Sequence, residues 1–234
     1  MPLTDAQLHS FGLYLDTLLD WNQRINLTAI TDPNEVAALH FLDSLTCLPA
    51  FSFDANACVL DVGSGAGFPG IPLAIARPDL KVTLLESVRK KRRFLEHVVA
   101  SLDLPSVSVK CARAETAGRD PTMRDAFDVA VTRALAELST AAELCLPLVK
   151  VGGIALVMKG PKADDEISRA DDAIAILGGV LEFTRDFDLP TPSGSAQRVI
   201  IGLRKAGATP DKYPRAPGIP AKRPISIDRS KPCG

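Results

Sequence analysis

A predicted strand followed by closely spaced glycines is the feature of this 234-residue sequence that most constrains its fold. The strand runs into the pattern Asp61-x-Gly63-x-Gly65-x-Gly67, after which a helix begins. Glycine permits positive φ and leaves no Cβ in the way, so the bare backbone of such a turn can approach a ligand. The helix that follows directs its N–H groups and positive dipole end at the same place. We therefore expect a nucleotide-like ligand at this turn, with Asp61 meeting a cationic or amine-bearing group.

Two cofactors fit this turn. Gly65-Ala66-Gly67-Phe68-Pro69-Gly70 matches the dinucleotide pattern G-x-G-x-x-G, which alone is weak evidence. The longer pattern that begins at Asp61 fits S-adenosylmethionine better. The next predicted strand ends at Glu86, about twenty residues on, where a carboxylate can bind both ribose hydroxyls. Because both cofactors carry a ribose, Glu86 does not discriminate between them, and it could also be an ordinary solvated acid.

Periodicity and turn residues predict three parts: a helical N-terminal extension, 1–50, a core, 51–205, and a basic, proline-rich tail, 206–234. The extension contains predicted helices at 4–22 and 33–47. The core alternates strands (57–62, 81–85, 106–110, 127–132, 152–159) with helices (68–77, 88–101, 135–149, 163–177). Two last strands, 180–187 and 196–204, are joined by a turn-rich loop, Leu189–Ser195. We predict an α/β fold with a mostly parallel seven-stranded sheet that ends in an antiparallel hairpin. A dinucleotide dehydrogenase usually continues with a second βαβ half instead, for which this chain has no room.

Composition and charge limit the classes of function. Hydrophobic residues make up 46% of the sequence, enough for one core. With no long apolar run and no basic leader with a cleavage site, we expect a cytoplasmic protein without a membrane span. The cysteines and histidines show no ligand spacing, so we expect no metal site, and nothing suggests more than a monomer.

Residues 204–234 carry eight Lys or Arg and two Asp, whereas the whole chain has a net charge of −1. This tail predicts contact with a polyanion, unless it is merely a soluble tail.

Ligands bind at the carboxyl ends of parallel strands, which directs attention to two further segments. Arg113-Ala114-Glu115 follows the third strand, the usual place for contacts to an adenine edge. The fourth strand ends in Thr132-Arg133-Ala134. It has neither the Asn/Asp-Pro-Pro-aromatic sequence of many amino-directed methyltransferases nor the cysteine nucleophile of cytosine-C5 enzymes. These features suit a nucleophile that already has a lone pair, such as guanine N7, and needs no general base. Arg133 would then position the cofactor carboxylate or the target base.

Motifs spread over nearly the whole chain carry a resemblance to a known family. They are Trp21-Asn22 with Asn26-Leu27-Thr28, His40-x-x-Asp43-Ser44-Leu45, the turn from Gly63 to Leu73, Glu86-Ser87, Lys90-Lys91, Phe94-Leu95, Arg113-Ala114-Glu115, Thr132-Arg133-Ala134, Lys159-Gly160 and the tail Tyr213-Pro214-Arg215-x-x-Gly218-x-Pro220-x-Lys222-x-Pro224. With these motifs the chain resembles the bacterial 16S ribosomal RNA guanine-N7 methyltransferases, also called glucose-inhibited division protein B.

The resemblance implies a Rossmann-like class I methyltransferase fold. It also implies S-adenosylmethionine as methyl donor and a guanine N7 in a conserved loop of 16S rRNA as acceptor. The family's cofactor contacts carry over to Gly63, Phe68, Ala114, Glu115 and Arg133, and Glu86 matches the ribose-binding acid. The sequence beyond the final motif, 226–234, is expected to be disordered.

The expected partner is 16S rRNA or the small ribosomal subunit. The candidate phosphate contacts are Arg89, Lys90, Lys91, Lys159, Lys212, Arg215, Lys222 and Arg223. Binding through several phosphates should be salt-sensitive. Four further residues are expected to shape an RNA-facing rim, or else to pack between helices: Trp21, Asn22, Asn26 and His40.

Two alternative functions stay open beside a dehydrogenase. One is a methyltransferase that acts on a small molecule or a protein, which the basic C-terminal segment disfavours. The other is a non-catalytic RNA- or nucleotide-binding module, which the intact glycine turn with Glu86 and Arg133 disfavours.

Overall fold

A seven-stranded sheet forms the centre of the computed structural model, which describes residues 2–161 and 163–225. Its strands are β1 (Cys58–Val62), β2 (Lys81–Leu85), β3 (Val107–Lys110), β4 (Phe127–Arg133), β5 (Val149–Lys159), β6 (Gly179–Thr191) and β7 (Gly194–Lys205). They lie in the order β3-β2-β1-β4-β5-β7-β6. The first five strands are parallel, and β7 pairs antiparallel with both β5 and β6. The prediction of a mostly parallel sheet that ends in an antiparallel hairpin is confirmed. The segment 226–234, for which disorder was expected, lies outside the described residues.

Helices cover both faces of the sheet. They are α1 (Asp5–Asn22), α2 (Pro33–Val36), α3 (Asp43–Leu45), α4 (Cys47–Ala50), α5 (Gly70–Ala76), α6 (Arg89–Ser101), α7 (Ala114–Ala117), α8 (Leu138–Cys145), α9 (Ala163–Ile176) and α10 (Ile219–Lys222), with a 3₁₀ turn at Leu146–Leu148. Val59 packs into the core under the N-terminal helices, and its neighbour Leu60 packs into the core under α8 and α9. A sheet that is buried on both faces explains why its central strands are apolar without alternation. No helix among the described residues has the length and apolar character that crossing a membrane requires.

The hairpin between β6 and β7 is tighter than predicted. The expected loop, Leu189–Ser195, is mostly strand, since the ladder continues to the pair Thr191 and Gly194. The turn itself consists of Pro192 and Ser193. Turn-forming residues were therefore misleading here, because the pairing of two long strands outweighs local preference.

A π-helical segment, Ala37–Leu42, lies between α2 and α3. A π-turn adds a residue to the helical repeat and so shifts which side chains share a face. As a result, His40, Phe41 and Asp43 are buried, whereas Leu42 is 40% exposed. The predicted helix at 33–47 is thus present, but with an interior irregularity that directs two polar side chains inward.

The first helix braces the glycine turn. The fully buried Tyr14 donates its hydroxyl hydrogen to the carbonyl oxygen of Ala66. Gln7 Nε2 donates to the carbonyl oxygens of Ile75 and Ala76, at 2.9 and 3.1 Å. These carbonyls end α5, where a helix leaves acceptors without internal partners. Helix α1 therefore holds the segment that follows β1 at both of its ends.

The predicted C-terminal tail is docked on the core as far as residue 225. Arg124 donates to the carbonyl oxygens of Thr209 and Tyr213, at 2.6 and 2.8 Å. Tyr213 and Ile225 are buried against the core under α8 and α9. A backbone fixed by several hydrogen bonds of this kind forms part of the folded body.

Candidate active site

The glycine turn after β1 has the backbone that its sequence predicts. Gly63, Gly65 and Gly67 have φ values of +75°, +59° and +97°. A Cβ at Gly65 would enter open space, where its nearest neighbour is the Gly63 carbonyl oxygen at 3.8 Å. A Cβ at Gly67 would instead lie 2.7 Å from the hydroxyl of Tyr14. Gly65 therefore presents bare backbone to a cleft, and Gly67 faces the protein.

Two acidic residues hold the turn from behind. Glu86 is 6% exposed, and its carboxylate accepts hydrogen bonds from the N–H groups of Gly65 and Val88, at 2.9 and 2.7 Å. Asp61 is fully buried, and its Oδ2 accepts from the N–H of Gly70 at 3.0 Å. Burial raises the pKa of Asp61 to about 7. Its Oδ1 is buried with no hydrogen-bond partner among the described residues. A buried oxygen without a partner is uncommon and calls for an explanation such as a water or a ligand.

Three neighbouring cavities lie at the carboxyl ends of the parallel strands. The turn cavity, of about 200 Å³, is lined by Leu27, Thr28, His40, Gly63, Ser64, Gly65, Ala66, Phe68, Lys91, Arg133 and Ala134. The β3 cavity, also of about 200 Å³, includes Gly63, Ala114, Glu115, Leu135, Thr140, Gly218 and Ala221 in its lining. The β5 cavity, of about 350 Å³, includes His40, Asp43, Arg133, Ala134, Lys159, Gly160 and Arg198. Because Gly63 is shared by the first two and Arg133 by the first and third, the cavities form a continuous series.

Arg133 stands where the turn cavity meets the β5 cavity. Its guanidinium donates to the Leu39 carbonyl oxygen at 2.9 Å and to Asp43 Oδ2 at 3.1 Å, and it contacts His40 Nδ1 at 3.1 Å. Its carbon Cζ lies 4.8 Å from the centre of the Phe68 ring. These contacts use three of the five N–H groups that a guanidinium carries. The extension, through the π-helical region, thus fixes an arginine at the end of β4.

Asp43 joins two arginines from different strands. Its side chain is 4% exposed, and its Oδ1 accepts from Arg198 Nε of β7 at 3.1 Å while Oδ2 accepts from Arg133 of β4. One carboxylate therefore faces two guanidinium groups. The β5 cavity consequently carries an excess of positive charge at this point.

His40 is a neutral member of the same cluster. Its Nε2 lies 2.7 Å from Thr28 Oγ1, and its ring stacks on Phe68 with 4.6 Å between centroids. Burial, together with the charge of Arg133, lowers the pKa of His40 to about 4. Its Nδ1 lies 3.1 Å from the Arg133 guanidinium and 3.0 Å from the Leu39 carbonyl oxygen.

The other three residues expected at the RNA-facing rim, Trp21, Asn22 and Asn26, lie outside this cluster. Trp21 packs on the rings of Phe94 and His97, with centroids 5.7 and 5.3 Å apart. Asn22 ties its own loop by accepting from the N–H groups of Leu27 and Thr28. Asn26 is exposed.

The predicted phosphate contacts divide into exposed and internally paired cations. The exposed ones are Arg89, Lys90, Lys212, Lys222 and Arg223, and the half-buried Lys91 lines the turn cavity. Lys159 instead forms an ion pair with Glu166 at 2.7 Å and donates to the Ala136 carbonyl oxygen. Arg215 makes a two-pronged ion pair with the fully buried Glu143. Both cations are thus paired with internal carboxylates, and their contact with RNA phosphate stays a prediction.

Sequence reasoning missed the parts of the site that come from distant segments. Arg198 has no local motif, and only its place on β7 brings it to Asp43. Asp43 itself belongs to the spacing His40-x-x-Asp43, which indicates a shared helix face but no partner. The contribution of Gly218 and Ala221 to the β3 cavity was also unforeseen.

A larger cavity, of about 770 Å³, lies elsewhere, between the N-terminal helices and the β6–β7 hairpin. Its lining is mainly apolar and includes Leu45, Leu48, Phe53, Phe187 and Leu189. None of the residues predicted to bind cofactor or RNA lines it.

A family model matches most of the chain. The model described as rRNA small subunit methyltransferase G matches residues 7–193. Proteins named ribosomal RNA small subunit methyltransferase G from Pelotomaculum thermopropionicum and Roseiflexus castenholzii are 48% and 49% identical to the chain. These alignments cover 95% and 96% of this chain and 92% and 94% of the relatives. A protein of the same name from Bacillus cereus is 45% identical over 96% of this chain and 93% of its own length.

Solved structures similar to the chain are more distant in sequence. The YcgJ protein from Bacillus subtilis has a TM-score of 0.54 at 13% identity, covering 72% of this chain and 100% of that chain. The structure of M. jannaschii TYW2 in complex with AdoMet has a TM-score of 0.52 at 18% identity, covering 69% of this chain and 76% of that chain. At such identities the likeness concerns the fold alone, and it agrees with the class I methyltransferase architecture predicted above.

Proposed function

The chain belongs to the family of rRNA small subunit methyltransferase G, and on this premise we propose that it methylates N7 of a guanine in a conserved loop of 16S rRNA, with S-adenosylmethionine as the donor. One observation carries the proposal. The turn cavity and the β5 cavity meet at His40, Arg133 and Ala134, so a donor held in the first would face a base held in the second.

The residues of the cleft fit S-adenosylmethionine. Gly65 offers a cradle that a Cβ would fill, and the partnerless Oδ1 of Asp61 lies behind the same turn. When bound, S-adenosylmethionine supplies an electrophilic methyl group on a positively charged sulfur. The residues assigned to hold it are Gly63, Gly65 and Phe68 for the amino-acid end, Glu86 for the ribose, Ala114 and Glu115 for the adenine, and Arg133 at the reacting end. Gly67, which faces the protein, and Asp61 brace the turn.

The protein's contribution to the reaction is positioning. Guanine N7 carries a lone pair and no proton, so no general base is required, and the neutral His40 neither gives nor takes a proton at pH 7. Arginine commonly binds guanine through both O6 and N7, which would cover the reacting atom. The contacts to Leu39, Asp43 and His40 and the Phe68 ring keep Arg133 from doing so. Holding donor and acceptor in a fixed geometry can supply roughly 7–11 kcal/mol of the barrier.

The RNA surface in this proposal consists of the exposed cations near the cavities and the half-buried Lys91. Arg89, Lys90 and Lys91 begin α6 beside the glycine turn, and Lys222 and Arg223 follow the β3 cavity wall. Lys212 adds a further exposed cation on the C-terminal segment. A base in a loop of RNA can be splayed out and inserted into a cavity, at an energetic cost that is lowest where it is already unstacked. We further propose that the protein acts as a cytoplasmic monomer.

Transfer of labelled methyl from S-adenosylmethionine tests this function. The substrates are purified small ribosomal subunits that lack the modification and naked 16S rRNA, followed by chemical cleavage at 7-methylguanosine. Label at a single guanine is the expected result. Absence of label in both substrates, with cofactor binding intact, would favour a methyltransferase that acts on a small molecule or a protein.

A further inference from the structure

The β3 cavity is walled in part by the C-terminal segment 209–221, here called the C-terminal strap. Gly218 and Ala221 of the strap line the cavity together with Ala114 and Glu115, which follow β3. Ala221 is otherwise exposed to solvent. The cavity thus combines residues that the sequence assigns to the cofactor with residues more than 100 positions later in the chain.

Three residues of helices α7 and α8 hold the strap: Glu115, Thr140 and Glu143. Glu115 Oε1 accepts from the N–H of Gly218 at 2.8 Å. The carboxylate of Glu143 accepts from the guanidinium of Arg215 at 2.6 and 2.9 Å and from its backbone N–H at 2.8 Å. Thr140 donates its hydroxyl hydrogen to the carbonyl oxygen of Pro220 at 3.1 Å.

The ion pair between Glu143 and Arg215 is the buried, charged part of this attachment. The Glu143 side chain is 0% exposed, and a buried carboxylate is costly unless a cation and hydrogen bonds satisfy it. Arginine satisfies it in a two-pronged geometry that lysine cannot reproduce. The strap is therefore bound to α8 at a defined position, and that position sets the width of the cavity beside Ala221.

We propose that the C-terminal strap forms the outer wall of the cofactor's adenosine site, with Ala221 as the residue that determines the space available there. This inference rests on the proposed function, because it assumes that S-adenosylmethionine binds along the series of cavities. It assigns Arg215 to positioning the cofactor wall, through Glu143, instead of to contact with RNA phosphate.

The variant Ala221→Leu tests the wall directly. A leucine at this exposed position fills the cavity without disturbing the core, and Ala216→Leu makes the same change at an exposed strap position that does not line the cavity. Calorimetry would measure binding of S-adenosylmethionine and of 5′-methylthioadenosine, which has the adenosine but not the amino acid. We expect A221L to lower the affinity for both ligands by about tenfold or more, and A216L to leave both affinities within about twofold of wild type.

The variant Arg215→Lys tests the attachment. Its control is Arg204→Lys, since Arg204 forms a two-pronged ion pair with Glu182 on the β6–β7 hairpin, away from the cavities. R215K is expected to lower the affinity for S-adenosylmethionine by about fivefold and leave RNA binding unchanged, whereas R204K should change neither. Weaker RNA binding with unchanged cofactor affinity in R215K would overturn the assignment of Arg215.

The outcomes also separate this inference from the proposed function. Wild-type protein that binds S-adenosylmethionine, together with an A221L variant that binds both ligands equally well, would refute the strap and leave the methyltransferase function intact. Wild-type protein that binds neither ligand would refute both.

Discussion

Replacing Asp43 with Asn tests whether Arg133 is positioned by the N-terminal extension. The carboxylate of Asp43 is the shared acceptor of Arg133 and Arg198, each at 3.1 Å. Asparagine has nearly the same size but no charge, and its amide nitrogen would face one of the two guanidinium groups, donor against donor. The change therefore removes the contact without creating a cavity.

The expected loss of stability follows from how deeply these groups are buried. The Asp43 side chain is 4% exposed, whereas Arg133 and Arg198 are 16% and 24% exposed. Removing one partner of a fully buried ion pair costs about 3–5 kcal/mol, whereas an exposed pair contributes about 0–1 kcal/mol. Because both arginines reach solvent, we expect the free energy of unfolding to fall by about 2–3 kcal/mol. That loss corresponds to a decrease of about 5–10 °C in Tm for a chain of this size.

The effect on activity is expected to be larger than the effect on cofactor binding. A displacement of about 1 Å at a positioning group can slow a reaction roughly 10²-fold. We therefore expect kcat/KM for methyl transfer to fall by about two orders of magnitude, equivalent to about 2.7 kcal/mol. The glycine turn is untouched, so the Kd for S-adenosylmethionine should change much less. Single-turnover methylation of small subunits and calorimetry with the cofactor measure the two quantities separately.

Asp128→Asn provides the matched control. The carboxylate of Asp128 also has two partners, the Lys150 ammonium and the Cys58 N–H, both at 2.8 Å, but its side chain is 40% exposed and remote from the three cavities. This variant should lose less than about 1 kcal/mol of stability and keep full activity. A folded D43N variant that methylates within about threefold of wild type would refute the positioning of Arg133 by Asp43.

Three further predictions concern the glycine turn. Gly65→Ala should weaken the binding of S-adenosylmethionine by about 100-fold or more. Its control is Gly152→Ala, which introduces a Cβ at a similarly positive φ into open space far from the cleft and should lower only the stability, by about 1–2 kcal/mol. Equal cofactor affinity in both variants would refute the placement of the ligand. Burial raises the pKa of Asp61 to about 7, above its unfolded value of about 3.9, so stability from this group is present at low pH and lost as the pH rises through 7. The free energy of unfolding of Asp61→Asn minus that of wild type should therefore rise by about 2 kcal/mol between about pH 5.5 and 8.5, as urea unfolding would measure. A difference that does not change with pH would contradict the raised pKa. Tyr14→Phe, which removes the hydrogen bond to Ala66, should lower the unfolding free energy by about 0.5–1.5 kcal/mol and weaken cofactor binding, as thermal melts and calorimetry would show.

Local sequence patterns predicted the sheet and the glycine turn because both depend on neighbouring residues. Positive φ at Gly63, Gly65 and Gly67 follows from the glycine spacing, and the order of strands and helices follows from apolar periodicity. The π-helical segment Ala37–Leu42 could not be predicted in this way, because an extra residue per turn is imposed by packing and leaves no signature in composition.

The internally paired cations illustrate what local sequence cannot show. Charge alone suggested that Lys159 and Arg215 bind RNA, but a charged residue gives no sign of a partner that is distant in sequence. Arg215 meets Glu143 across 72 positions, and Arg198 meets Asp43 across 155. Only the folded chain shows which cations are paired internally and which face solvent.

The contact between Tyr14 and the glycine turn also bears on how such proteins can be recombined. The hydroxyl of Tyr14 lies 2.7 Å from the place where a Cβ at Gly67 would be, so the two positions have to be compatible in size. A chimaera that joins the extension of one relative to the core of another would separate them and inherit two halves from different parents. Between relatives that differ in size at either position, functional crossovers are accordingly expected outside the interval 14–67.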